Sequence, residues 1–343
     1  MKGYAERIFD KKYKILENFI SVFIFSFLVF LPFSDLFIRE IIRPFFPFIG
    51  KIPASQIIVS HFTLLAGFLG AVITTSKNDL LSLSSESLFK SNSKNIGQYT
   101  ARFSSIVIVM AIAVGSFNLF LIEFSLPNTL YISPYIPRYI FQLSMPLGLF
   151  SIFFIFIYKS KKELISIYGL SFLLINIIFY VKEDYFRDSF LFIIIAIILI
   201  VYSTFYGMPI FLVLGGLASL FFWHDYVALS AISAEAYRIV VSPHLATIPL
   251  FTLAGYYLAE SKTSDRLLLV FQQIFSWIPG GTPILVLLLC AFFTALTGGS
   301  GVTILALGGL LFPLLKKEGY DKSFSLGLVT SSGSIGLLFP PSL

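Results

Sequence analysis

The sequence predicts an all-α, polytopic membrane protein, and three observations carry that prediction. Of its 343 residues 57% are hydrophobic and only 12% charged, with a mean hydropathy of +0.89, whereas an average soluble domain has about a quarter of its residues charged. Apolar runs close to the ~20 residues that cross a bilayer as a helix recur along the chain. Near the C-terminus two such runs are interrupted by small and hydroxylated residues, Thr297-Gly298-Gly299-Ser300-Gly301 and Ser331-Ser332-Gly333-Ser334-Ile335-Gly336, the second leading into Pro340-Pro341.

The elements follow from the alternation of apolar and charged stretches. Lys2, Arg7, Lys11, Lys12 and Lys14 precede a first run over residues 19–33, and a segment with Arg39, Arg43, Pro44 and Pro47 separates it from a second over 57–75. Residues 76–102, rich in serine, asparagine and lysine, are too polar to cross and predict an interfacial helix plus a loop. A third run covers 103–124, and the loop SPYIPR leads into a fourth over 139–158. The basic knot KSKKE opens a fifth run over 164–181, which ends in the acidic-leaning KEDYFRD.

Residues 189–223 hold two apolar runs joined by the tight turn Tyr206-Gly207-Met208-Pro209, and the mixed small and charged stretch that follows, to His244, suits an interfacial helix. Residues 248–258 are apolar and short. Leu267, Leu268, Phe271, Ile274, Phe275 and Ile278 then recur at helical spacing, the stripe of a helix lying on the membrane surface or packed on another domain.

Composition also excludes. Cys290 is the one cysteine and sits mid-run, so the chain holds no disulfide framework or cysteine zinc site, and Cys290 reads as a small packing residue. His61, His224 and His244 are far apart and read as interfacial or helix-end polar groups. HExxH, Walker, GxSxG and paired-acid motifs are missing, and Glu123 alone lies near a run end, so a membrane-embedded enzyme ranks last. No catalytic residue, cofactor or nucleic-acid partner is expected. The first apolar run is too long for a signal peptide, and no small-residue cleavage site follows it.

Lys and Arg concentrate on the cytoplasmic side of membrane proteins. With the N-terminus inside and residues 283–315 dipping in and returning as a hairpin, seventeen of the 24 Lys and Arg fall inside and seven outside. A single crossing there would move Lys316, Lys317 and Lys322 outside and shrink the bias to fourteen against ten. Charge therefore favours the hairpin, with its glycine-rich tip at membrane depth and the helix that starts near Ser323 breaking close to it.

Unpaired backbone groups in hydrocarbon cost several kcal/mol, so such breaks survive where they are buried in protein or line a wet cavity. Half-helix N-termini there favour anions, while unwound carbonyls and half-helix C-termini coordinate cations. Two readings stand side by side: an ion and substrate site, or small residues that let helices pack closely. Hydroxyls and free carbonyls would hold sodium without a buried negative charge. For each serine or threonine the alternative is a bond to a carbonyl one turn back.

The words IPLFTLAGYYLAES from Ile248, WIPGG from Trp277, FTALTGGSGVT from Phe293, KKEGYDKSFSLGLVT from Lys316 and SSGSIGLLFPPS from Ser331, in that order and spacing, resemble the large membrane subunit of the tripartite ATP-independent periplasmic (TRAP) transporters. That resemblance implies a permease component of a sodium-coupled importer of organic acids, C4-dicarboxylate-like, delivered by a periplasmic solute-binding protein. It implies location in the bacterial inner membrane, multi-pass, with a cytoplasmic N-terminus. Residues 1–158 would be a four-helix small-subunit domain, 159–188 a connector with a linking helix, and 189–343 the first half of an inverted-repeat elevator domain.

By the same resemblance Thr297, Gly299, Gly336, Phe339 and Pro341 would bind sodium, Thr297 through its hydroxyl and the others mainly through carbonyls. Ser300, Thr303, Ser332 and Ser334 would contact the substrate carboxylate, with Gly298 and Gly301 at the hairpin tip. The tip Thr297-Gly298-Gly299-Ser300-Gly301 departs from the serine-rich tips of relatives, and Gly299 offers only backbone. The family's second half, with its second hairpin and broken helix, has no counterpart before Leu343. The expectation is that a separate chain supplies it, or that this is a truncated or degenerate permease without transport activity by itself.

Overall fold

A computed structural model of the chain describes residues 4–46, 54–83, 91–126, 131–133, 136–159, 187–242, 280–297 and 300–338, with isolated positions (48, 52, 253, 257, 266, 269, 270 and 273) besides. Two compact units divide it, Met1–Val241 and Ser242–Leu343. The expected crossing over 164–181, the short run 248–258 and the stripe between Leu267 and Ile278 lie outside the described residues.

In the first unit the order is α1 (Tyr4–Phe37), extended by one π-helical turn (Ile38–Ile42), α2 (Ser55–Lys77), α3 (Ser91–Ser125), the antiparallel strands β1 (Tyr131–Ser133) and β2 (Ile136–Pro137), α4 (Tyr139–Gln142), α5 (Ser144–Lys159), α6 (Phe190–Phe205), α7 (Ile210–His224) and α8 (Ser230–Val240). Among the described residues four helical stretches are long and apolar enough to cross a membrane: Glu17–Ile42, Ser55–Lys77, Ile96–Ser125 and Tyr139–Lys159. With helices on this scale and large apolar side chains such as Phe19, Phe30, Phe154 and Phe190 facing outward, the chain is a multi-pass membrane protein.

Helix α3 is the axis of this unit and packs against α5, α6, α7 and α8. Its Ala101, Ile108, Val109 and Ala113 meet Leu149 and Ile152 of α5, Ile200 of α6 and Leu212 of α7 in one buried cluster. At 16 and 15 residues, α6 and α7 are each about 22–24 Å long at 1.5 Å per residue. They are joined by the anticipated turn, where Gly207 takes φ +90°, a left-handed conformation that glycine adopts without strain. Across that turn the Ile210 amide donates to the Leu81 carbonyl at 3.0 Å, and Ser82 bridges Pro209.

The structure corrects one detail of this unit. Residues 91–102 are no separate interfacial helix but the first turns of α3. Polarity there marks where hydrocarbon would end, and helical hydrogen bonds continue past that point because they need no lipid. The fourth run stands as one helical span, Tyr139–Lys159, with a local irregularity at Leu143 ahead of Pro146, which has no amide to return to the Gln142 carbonyl.

His61 is buried at 2% exposure near the start of α2. Its Nδ1 lies 2.7 Å from the Ile57 carbonyl and its Nε2 2.6 Å from the Tyr237 hydroxyl of α8. A carbonyl only accepts, so Nδ1 carries the proton of the neutral ring and the Tyr237 hydroxyl donates to Nε2. Arg138 Nε donates to the same hydroxyl at 3.2 Å, and its guanidinium lies over the Tyr237 ring and 3.9 Å from Glu123.

The second unit holds α9 (Gly281–Thr297), α10 (Ser300–Lys317), α11 (Lys322–Ile335) and a 3-10 turn (Gly336–Leu338). Leu285, Leu289 and Phe293 repeat every four residues on α9, as do Leu307, Leu311 and Leu315 on α10. The two stripes face each other around Cys290 and Val329, the i, i+4 geometry of one helix face. Cys290 is thus the packing residue its surroundings implied.

Candidate functional site

Helices α9 and α10 pack against each other as an antiparallel hairpin, with the end of α9 at Thr297 and the start of α10 at Ser300, and α11 packs against both. The α9–α10 register is pinned near the tip by two buried hydroxyls, Thr294 Oγ1 donating to Thr303 Oγ1 at 2.8 Å, both with zero exposure. Burying two hydroxyls against each other satisfies groups that would otherwise be desolvated without a partner.

Helix α11 ends beside this pair. Asp321 caps its start, its carboxylate accepting from the Ser323 amide at 2.8 Å, and those amides hold the Asp321 carboxyl below its ordinary range. At the other end the helix tightens into the 3-10 turn at Gly336. A Cβ on Gly336 would overlap Thr294 and the Ala291 carbonyl oxygen, so the turn seats directly on α9. One turn earlier, a Cβ on Gly333 would come to 3.3 Å from the Ser300 carbonyl oxygen and 3.4 Å from Ile304. The expected break over 333–336 is therefore narrower: Gly333 is helical and allows close approach, and the helix changes only at Gly336.

Of the residues expected to contact substrate, Thr303 and Ser332 are fully buried. Ser300 opens α10 at the tip, half-buried, and Ser334 is exposed on α11. Thr303 accepts across the hairpin from Thr294. Among the described residues the Ser332 hydroxyl is buried without a hydrogen-bond partner, while its neighbours Thr330 and Ser331 bond back to Leu326 and Gly327 carbonyls. Gly301 is exposed beside the tip. Of the residues expected to bind sodium, Gly336 is described fully and Thr297 as the last residue of α9; Gly298, Gly299, Phe339 and Pro341 lie outside the described residues.

The structure thus brings together the C-terminal end of α9, the N-terminal end of α10 and the Gly336 turn. The first presents carbonyls, which attract cations, and the second presents amides, which attract anions. Sequence reasoning missed Thr294. It lies three residues before Thr297, on the same helix face, and that spacing is the signal that could have found it.

Comparison with known proteins places this region. Residues 192–343 match the family model described as "Tripartite ATP-independent periplasmic transporter, DctM component". The chain is 30% identical over 149 residues to the C4-dicarboxylate TRAP transporter large permease protein DctM of Vibrio cholerae serotype O1, covering 43% of this chain and 33% of that protein. It is 34% identical over 118 residues to the isethionate TRAP transporter permease protein DctMQ of Oleidesulfovibrio alaskensis, 34% of this chain and 18% of that one. The ectoine TRAP transporter large permease protein TeaC of Halomonas elongata is 33% identical over 99 residues, 29% and 23% of the two chains. The chain spans about a third or less of the length of these relatives.

Proposed function

We propose, from the premise that this chain is a TRAP-transporter membrane component carrying DctM sequence over residues 192–343, that it contributes an ion and substrate site to a sodium-coupled importer of organic acids in the bacterial inner membrane. In this reading residues 1–158 act as a small-subunit domain, 159–188 connect it, and residues 189–343 contribute to the moving block. The N-terminus lies in the cytoplasm, a periplasmic solute-binding protein delivers the substrate, and a further polypeptide segment completes the second half of the site.

The observation that carries the reading is the Gly336 turn seated on α9 beside a buried hydroxyl, Ser332, that no described group satisfies. Turn carbonyls are neutral ligands that a sodium ion takes without a carboxylate, and an unsatisfied hydroxyl can donate to an anion. Gly336, Thr297, Gly299, Phe339 and Pro341 would hold the ion. Ser300, Thr303, Ser332 and Ser334, with the first amides of α10, would orient a carboxylate. An unpaired ion in a low-dielectric site is expensive, and a neighbouring charge of opposite sign lowers that cost. Sodium and carboxylate therefore favour each other's binding, which is the physical basis of coupling. Two relatives named for C4-dicarboxylates support a substrate of that class.

The test is uptake of labelled succinate into proteoliposomes, with a purified cognate binding protein and with the chain co-reconstituted with a segment equivalent to the part of its relatives that it does not span. Uptake that requires an inward sodium gradient is expected. Uptake indifferent to sodium would remove the coupling reading, and uptake without the binding protein would remove that partner.

A further inference from the structure

A cavity of about 440 Å³ lies within the first unit. It sits where the C-terminal ends of α2 and α5, the lower part of α3 and the Tyr206–Pro209 turn come together, and that volume falls in the range of small-ligand sites. Asn78 and Lys159 close the second and fourth apolar runs and Arg102 precedes the third, so the cavity lies at helix ends, where a bilayer-spanning helix meets lipid headgroups.

Two cations line it. The Lys159 ammonium donates to the carbonyls of Thr75 and Ser76 and to Asn78 Oδ1, each at 2.7 Å. All three protons go to neutral acceptors, which fixes the charge in the wall; among the described residues Asp79 is the nearby carboxylate. Arg102, on an exposed turn of α3, makes no ion pair among the described residues. Gln98 and Ser105 flank it at i−4 and i+3 on the same helix face. Ser105 already donates to the Ala101 carbonyl, so Arg102 is the directional donor. Beneath the cations the lining turns apolar, with Ile106 and Phe156.

A cationic rim over an apolar floor at headgroup depth fits an amphipathic anion. We propose that this pocket binds the phosphate of an anionic phospholipid, Arg102 as its hydrogen-bond donor and Lys159 as a fixed positive charge, with the glycerol and first acyl carbons on Phe156 and Ile106. Basic pockets between membrane helices recognise lipid phosphates in this way, each surface cation contributing on the order of a fivefold gain in affinity.

Native mass spectrometry of the purified full-length chain, titrated with phosphatidylglycerol, tests the site. Phosphatidylglycerol is expected to bind more tightly than phosphatidylcholine, and Arg102→Gln and Lys159→Gln each to weaken it about fivefold. Arg238→Gln, whose cation is already paired with Glu235 on α8, should leave it unchanged. Should Lys159→Gln fail to fold because the α2 end loses its cap, Arg102→Gln at its exposed position still decides. Equal phosphatidylglycerol affinity in wild type and Arg102→Gln overturns the proposal. Displacement of the lipid by equimolar glycerol 3-phosphate would instead assign the pocket to free phosphate esters and overturn the lipid assignment.

Discussion

A methyl group on Gly336 has nowhere to go, because Thr294 and the Ala291 carbonyl already occupy its place. Overpacking of this kind costs about 1–3 kcal/mol, so Gly336→Ala should lower the melting temperature in detergent and abolish any sodium-induced stabilisation. Gly308→Ala is the control: its Cβ would meet Ile304 and Val329 at an ordinary 3.8 Å, and its melting temperature should stay within error of wild type or rise. The Thr294–Thr303 bond calls for a double-mutant cycle. Thr303→Val strands the Thr294 hydroxyl and should destabilise by about 1–3 kcal/mol, whereas the double variant with Thr294→Val should recover part of that loss. Equal, additive losses would mean that the hydroxyls do not interact. Tyr237→Phe is the corresponding test in the first unit, since it deprives His61 Nε2 of its donor and Arg138 of its acceptor at once. A loss of about 1–3 kcal/mol is expected there too, and an unchanged melting temperature would make the contact incidental.

Among the elements, α11 shows how a helix is started and stopped by single positions. Its N-cap carboxylate accepts from the Ser323 amide, and that contact, with the adjacent amides of Lys322 and Phe324 and the Lys316 charge, depresses the Asp321 carboxyl below its ordinary value of 3.8. A carboxyl depressed in the folded state contributes stability above the unfolded value, and that contribution disappears as pH falls through the lower, folded value. Melting followed from pH 7 down to pH 3 should therefore show an acid-side loss that is smaller in Asp321→Asn, which keeps a capping oxygen but cannot titrate; identical profiles would refute the cap. The elements were largely legible in sequence, because hydrophobic runs and the glycine-proline turn at 206–209 report local energetics directly. What was not legible was continuity. The polar turns of α3 looked like a separate element, because polarity marks solvent exposure while helix ends depend on hydrogen-bond donors. The His61, Tyr237, Arg138 and Glu123 cluster was invisible for a related reason: its members are 176 residues apart at the extreme, and single-chain periodicity carries no information about such contacts.

At the scale of the whole chain, the distribution of charge makes a claim that no single element can. The seventeen-to-seven excess of Lys and Arg on one side follows only if residues 283–315 enter and leave by the same face. The antiparallel α9–α10 pair provides a hairpin of that kind within the second unit. Hairpin geometry alone does not set which face of the membrane its open end meets, and charge supplies that direction. On a background in which Cys290 is changed to alanine, a cysteine at Gly280 and one at Glu318 flank the two legs of the hairpin, and one at Arg138 stands in the segment counted outside. Impermeant maleimide applied to intact cells should label the Arg138 position and leave Gly280 and Glu318 unlabelled until the membrane is opened. Labelling of Glu318 but not Gly280 from outside would mean that the segment crosses once, and the tip would then no longer be reached from the cytoplasm. Labelling of both from outside, with Arg138 protected, would keep the hairpin and invert the whole molecule. The first outcome would remove the carbonyl and amide ends from a common depth, and with them the physical case for one site holding a cation and an anion together.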